Sequence, residues 1–379
     1  MGKTKPGIVY LRKNMFRPKS FHLQWHITER CNLHCKHCYS DPALLKNELS
    51  LQELIGILNQ YVEQIEKWEL PKRAVRISFT GGEPFIRKDF FDLLEKCYEN
   101  RNITQYGILT NGTLLNRSII KKLKDLKVDY IQVSLEGTKK TNDYIRGKGT
   151  FEKIIRAIKL LREERISIGI SMTVSKINIQ DVPAVINLAK DLKVNFLGIR
   201  RLVPLGRSKE VKGMVLTPEE VRKLFLYILK IKRDSKINIG IGCEDGILAQ
   251  EMHYLPIGCS AGYASFTVLP NGDIYPCRRL PLLSGNLLKQ SFSNIYYNSK
   301  ELQRLRNLNN INDVCQDCPF FNECQGGAKC INYAHFGDPF SPSPQCWRIF
   351  KELPDPNLKW RAGKKEKEER LDQKWIEED

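Results

Sequence analysis

From residue 21 to about residue 234, short apolar and β-branched runs alternate with stretches of helical period, and this alternation limits the fold more than any other feature of the chain. The runs at 23–28, 75–80, 105–109, 130–135, 166–174 and 194–200 are expected strands. The stretches 51–68, 90–98, 119–126, 151–162, 182–192 and 221–232 are expected helices. Ser50 with Glu53 three residues on reads as a capping box, and Thr217 followed by Pro218 as an N-cap with proline at N1. Strands each followed by a helix form parallel units with right-handed crossovers. Six of them close three-quarters of an eight-fold barrel, so the expected class is α/β, a partial (β/α)6 barrel.

The pattern changes near residue 237, where cysteine, proline and glycine multiply and helical period fades. Residues 266–277 read as a hairpin, with Asn271-Gly272 expected to form a two-residue type I′ turn that carries Cys277 back toward Cys259. A helix is expected over 293–308. The organisation is then a basic extension (1–20), the barrel core (21–236), a small cysteine-rich α+β domain (237–350) and a charged tail (351–379). The tail carries both signs of charge and reads as a solvated helix or a disordered end.

The 379 residues include no apolar run of the roughly 18 residues that a membrane helix needs. The first 20 residues are basic but lack an apolar signal region, so the cytoplasm is the expected location. Twelve cysteines without a secretory signal point to metal rather than disulfides. Cys97 stands alone and reads as a core residue. The net charge of +18 reads as a soluble basic surface, or as attraction for an acidic peptide or other anion. No motif for RNA or DNA binding stands out, and nucleic acid is not an expected partner.

The expected strands place polar and glycine residues at one end. Cys31, Cys35 and Cys38 follow the first, Gly81-Gly82-Glu83-Pro84 the second, and Thr110-Asn111-Gly112 the third. Ser134 and Glu136 end the fourth, Ser171 lies in the fifth, and Arg200 ends the sixth. In a βα barrel that end is where chemistry gathers. Three thiolates at C-x3-C-x2-C suit an iron–sulfur cluster with one iron left open. A zinc site closed by His34 or His37 is the alternative. Two glycines let backbone approach a ligand closely, and Glu83 offers a carboxylate to a free amino group.

Cys31-x3-Cys35-x2-Cys38-Tyr39 together with Gly81-Gly82-Glu83-Pro84 resembles the radical S-adenosylmethionine (SAM) superfamily. The resemblance implies a [4Fe-4S] cluster on Cys31, Cys35 and Cys38 whose open iron binds SAM. One electron then splits the sulfonium to a 5′-deoxyadenosyl radical that abstracts a substrate hydrogen. It also implies that Glu83 and its turn take the SAM amino group and that Tyr39 lies beside adenine. Thr110, Asn111 and Ser134, and less closely Ser171 and Arg200, fall among the SAM contacts. The spacing Cys259-x12-Gly272-x4-Cys277, then Cys315-x2-Cys318-x5-Cys324, then Cys346, resembles the SPASM extension, which houses auxiliary clusters. By that likeness Cys315, Cys318, Cys324 and Cys346 hold auxiliary cluster II, with a zinc ribbon as the alternative. Cys259, Cys277 and Cys330 are the candidates for auxiliary cluster I. Ala328 stands where the related C-x3-C spacing has cysteine, and Cys243 is a candidate for the missing ligand.

The resemblance implies a maturase acting on a peptide or protein, with ferredoxin or flavodoxin as reductant. Related enzymes that trim tetrapyrrole side chains give the second expectation, and an iron–sulfur electron carrier the third. Peptide-modifying relatives often carry an N-terminal leader-binding domain. Here about 20 residues precede the first strand, so a leader would bind the barrel or a separate protein.

Overall fold

The computed structural model describes residues 17–40, 47–234, 239–241 and 258–360. Cys243, the extension through residue 16 and the tail from residue 361 lie outside the described residues. The six expected strands are present as β1 (Phe21–His26), β2 (Val75–Thr80), β3 (Gln105–Thr110), β4 (Tyr130–Ser134), β5 (Ile168–Val174) and β6 (Phe196–Arg201). They lie parallel and in chain order. The boundaries move by no more than two residues from the pattern; the largest shifts include β1, which starts two residues earlier and which Ile27 and Thr28 leave.

The sheet continues beyond the expected six strands. On one side β7 (Ile239–Ile241) adds parallel to β6. On the other, β8 (Ser265–Val268) pairs parallel with β1, followed by β9 (Asp273–Tyr275) and β10 (Gly285–Asn286), both antiparallel. The result is one open ten-stranded sheet, in which the cysteine-rich domain is an extension of the barrel wall.

Side chains alternate across this sheet. Leu23, Trp25, Ile77, Phe79, Ile108, Ile131, Val133, Ile170, Met172, Leu197 and Ile199 face the helices and form one continuous buried core. The opposite face is polar: His22, Gln24, Ser78, Tyr130, Gln132, Ser171 and Arg200. His22 Nε2 and the Tyr130 hydroxyl each lie 2.5 Å from Ser78 Oγ. A Cβ on Gly107 would meet the Tyr130 ring at 2.4 Å, and one on Gly198 would meet the Arg200 guanidinium at 2.3 Å. The two glycines therefore leave room for large polar groups in the barrel lumen.

Three details differ from expectation. Helix Lys139–Arg146 follows β4 and precedes helix Thr150–Glu163. Its sequence KKTNDYIR buries few apolar residues, so no periodic stripe marks it. The helix expected over 293–308 is broken into Phe292–Asn298 and Lys300–Arg306, because Ser299 is extended and N-caps the second. The hairpin turn is not type I′. Gly272 donates to the Leu269 carbonyl at 2.9 Å, and of Asn271 and Gly272 only Gly272 has positive φ (83°). Pro270 favours the i+1 position of a type I turn, which moves the glycine to the bulge that follows. The capping box forms as expected, with Ser50 N–H donating to Glu53 at 2.8 Å. Cys97 is fully buried in the main core.

Candidate functional site

The cysteine loop begins where β1 ends and is held to the turn after β2 by backbone bonds. Gly82 N–H donates to Thr28 O and Glu83 N–H to Arg30 O, both at 2.8 Å. A Cβ on Gly81 would lie 2.1 Å from Thr28 O, and one on Gly82 2.1 Å from Arg30 O. The glycines thus admit the backbone of the cysteine loop itself, a closer neighbour than the ligand that the sequence suggested. Gly82→Ala is expected to pry the turn from the loop and destabilise the fold by ~1–3 kcal/mol; a thermal melt beside the parent protein measures it.

Glu83 is fully buried and its carboxylate faces inward. It accepts from Thr110 Oγ1 at 2.7 Å and from Asn111 N–H at 2.8 Å, and caps the short helix Pro84–Ile86 through Phe85 N–H. Burial pushes its carboxyl up to about 7, against those hydrogen bonds. Glu83 therefore ties the ends of β2 and β3 together. Asn111 reaches back to Asn32 at 2.8 Å and lies 3.9 Å from Cys31 Sγ.

The other expected residues fall into two groups. Ser134 and Ser171 are register partners on β4 and β5, and Arg200 donates to Ser171 Oγ at 3.3 Å. Tyr39 lies apart from them, its ring 5.5 Å from the Arg278 guanidinium and 6.3 Å from His26.

Sequence reasoning named Glu136 and His37 singly but overlooked Arg146 and the buried charged cluster that the three form beside the cysteines. Arg146 donates to Glu136 at 2.5 Å and lies 3.9 Å from Cys35 Sγ. His37 approaches the same Glu136 oxygen at 3.2 Å, and Thr173 N–H donates to the other at 2.7 Å. His37 is thus engaged with a carboxylate, and His34 lies 3.0 Å from Arg207. Burial alone would raise the Glu136 carboxyl, but Arg146 and His37 hold it below the ordinary 4.5. Because the folded value is depressed, the unfolded chain takes up the proton first as pH falls. Stability from this group is complete above 4.5 and is lost progressively at lower pH. Glu136→Gln should flatten that acid limb of an unfolding titration.

A second buried pair joins the two parts of the chain. Arg278, next to Cys277, donates to Glu29 at 3.1 Å, two residues before Cys31. A charged residue beside a cysteine was the available signal for Arg278. Arg146 had none, since its helix was not legible.

The donor set fits iron–sulfur ligation. Leu33 N–H points at Cys31 Sγ and Ser40 N–H at Cys38 Sγ, each at 3.4 Å. In the distal set, Gly326 and Gly327 N–H groups face the Cys324 sulfur, and those of Arg348 and Ile349 face Cys346. Such donors stabilise charge on sulfur. Burial otherwise pushes Cys31 up to about 11 and Cys324 to about 12, so ligation must displace protons. Cys315, Cys318, Cys324 and Cys346 act on one another electrostatically. Cys259 and Cys277 pack against a small core that contains Cys315, Ala328 and Cys330. Among the described residues no three metal-binding side chains converge tightly enough for a single ion.

A partial parallel barrel with three thiols at its C-terminal mouth, its sheet continued by a cysteine-rich domain, fits the class of iron–sulfur proteins. The family profile of the radical SAM superfamily matches residues 25–189, and that of the SPASM iron–sulfur cluster-binding domain matches residues 259–319. The chain belongs to the radical SAM superfamily and carries a SPASM domain; it is an enzyme that uses a [4Fe-4S] cluster with SAM and auxiliary iron–sulfur clusters. It is 28% identical to an AdoMet-dependent heme synthase of Methanosarcina barkeri over 86% of this chain and 95% of that one. It is also 28% identical to the mycofactocin maturase MftC of Mycolicibacterium smegmatis, over 86% of this chain and 82% of the relative. Streptococcus suis SuiB, solved with its precursor peptide SuiA, shares the fold at a TM-score of 0.70 and 20% identity, over 86% of this chain and 75% of SuiB. Among the described residues no helix is long and apolar enough to cross a membrane.

Proposed function

We propose that this enzyme matures a peptide or protein by removing a hydrogen atom from one of its residues. The observation that carries the reading is the chemistry of the lumen. Its half-buried groups include the neutral Gln24, Tyr130, Gln132, Ser134 and Ser171. Amides and hydroxyls of this kind pair with peptide groups. Three buried guanidiniums around the mouth have carboxylate partners, Arg146 with Glu136, Arg278 with Glu29, and Arg87 with Asp89, while Arg201 at the end of β6 donates to Gln345. An anionic tetrapyrrole would draw on cations other than these pairs, Arg200 beside Ser171 in the lumen among them. Likeness to a maturase and to a fold solved with a precursor peptide supports the same direction.

When bound, the cluster and SAM supply the 5′-deoxyadenosyl radical. Cys31, Cys35 and Cys38 hold that cluster. Tyr39, Gly81, Gly82, Glu83, Pro84, Thr110, Asn111, Ser134, Ser171 and Arg200 border SAM, with Glu83 fixing the turn from within. Cys315, Cys318, Cys324 and Cys346 hold one auxiliary cluster, and Cys259, Cys277 and Cys330 contribute to another. A ferredoxin or flavodoxin delivers the electron.

The tetrapyrrole reading is second, favoured by the 28% identity that spans 95% of a heme synthase. One assay separates the two. The anaerobically reconstituted, reduced enzyme is given SAM and either short peptides encoded beside its gene or an iron porphyrin bearing carboxylates. Peptide-stimulated 5′-deoxyadenosine formation, with a mass change in the peptide, is expected. Stimulation by the porphyrin alone would establish the second reading instead.

A further inference from the structure

Lys329 opens helix Lys329–Phe336 and is 3% exposed. A buried ammonium needs a counter-charge, because removing it from water is costly. Two other deeply buried cations illustrate this: Arg146 and Arg278 each bond a carboxylate. Among the described residues no carboxylate pairs with Lys329. Its Nζ donates to the Gln325 carbonyl at 3.3 Å, and one neutral acceptor leaves further N–H donors available. Lys329 lies between Ala328 and Cys330, which share a small core with Cys315 and, packed against it, Cys259; Gln325, whose carbonyl its Nζ meets, follows Cys324, so the thiols around it are Cys259, Cys324 and Cys315. These come from both distal cysteine sets. The chain therefore brings one buried cation between the candidate ligands of two metal sites.

We propose that Lys329 is a positioning residue for electron transfer: its charge, set between the two auxiliary sites, makes the clusters there easier to reduce. A cluster that gains an electron becomes one unit more negative. A fixed cation at its sulfurs stabilises that reduced state more than the oxidised one, and hydrogen bonds to sulfur and local charge are established determinants of such potentials. Placement between two sites gives the lysine a hold on both, and the loop of Cys31, Cys35 and Cys38 has contacts of its own to the turn after β2, Asn111 and Arg146. The inference rests on Cys259, Cys315 and Cys324 being cluster ligands.

The test compares reconstituted holoenzyme with its Lys329→Met and Lys329→Arg variants. Iron and sulfide are counted, and reduction is followed by electron paramagnetic resonance during a redox titration. In Lys329→Met the iron count is expected to hold while the auxiliary signals move to more negative potential. The signal of the SAM-binding cluster should stay in place. Lys329→Arg keeps the charge and should keep the auxiliary signals close to those of the parent. Auxiliary signals that titrate alike in parent and Met variant overturn the proposal. So does loss of auxiliary iron in both variants, which would make the lysine a structural element. A parent holoenzyme with only about four irons overturns the ligand assignment itself, and the lysine's role with it.

Discussion

Replacing Cys31, Cys35 and Cys38 together with alanine is expected to remove about four irons and abolish SAM cleavage while auxiliary iron remains. The three thiols share one loop, whose contacts run to the turn after β2, to Asn111 and to Arg146. The distal cysteines have their own backbone donors and their own small core. Separate ligand sets should therefore load separately. Iron and sulfide analysis, with chromatography of 5′-deoxyadenosine, measures the outcome. Loss of all iron in the triple variant would mean that the distal sites depend on the first.

The second large effect is expected at Arg146. Lys or Met in its place leaves a different result at Glu136, and Arg146→Met is the sharper probe. It takes the guanidinium from a carboxylate that is almost completely buried and leaves it with His37 and Thr173 N–H, so destabilisation of about 3–5 kcal/mol is expected from chemical denaturation. Coupling Arg146→Met with Glu136→Gln removes both charges and should recover part of that loss. Recovery distinguishes a stranded charge from simple loss of packing. Because Arg146 also approaches Cys35, the double variant should still show weaker SAM cleavage than the parent.

The βα order was legible because parallel strands and amphipathic helices each carry their own period. The alternation His22, Gln24, His26 against Phe21, Leu23, Trp25 encodes the polar lumen, but a strand read only for its apolar content does not show it. Helix Lys139–Arg146 escaped because its burial depends on neighbours rather than on a stripe. The glycine turn was legible as a place of close approach, but what approaches is the Thr28–Arg30 backbone, a partner some fifty residues earlier in the chain.

By itself the sequence determined the order of the barrel units, the three-thiol loop and the distal thiol spacing, because each depends on residue type and short-range periodicity. Only the tertiary structure decided that the distal hairpin extends the barrel wall through β8, that Glu83 turns inward, and that Arg146, Arg278 and Lys329 come to rest at the cysteines. The physical reason is that a buried charge selects its partner in space, and Arg278 lies 249 residues along the chain from the carboxylate it bonds.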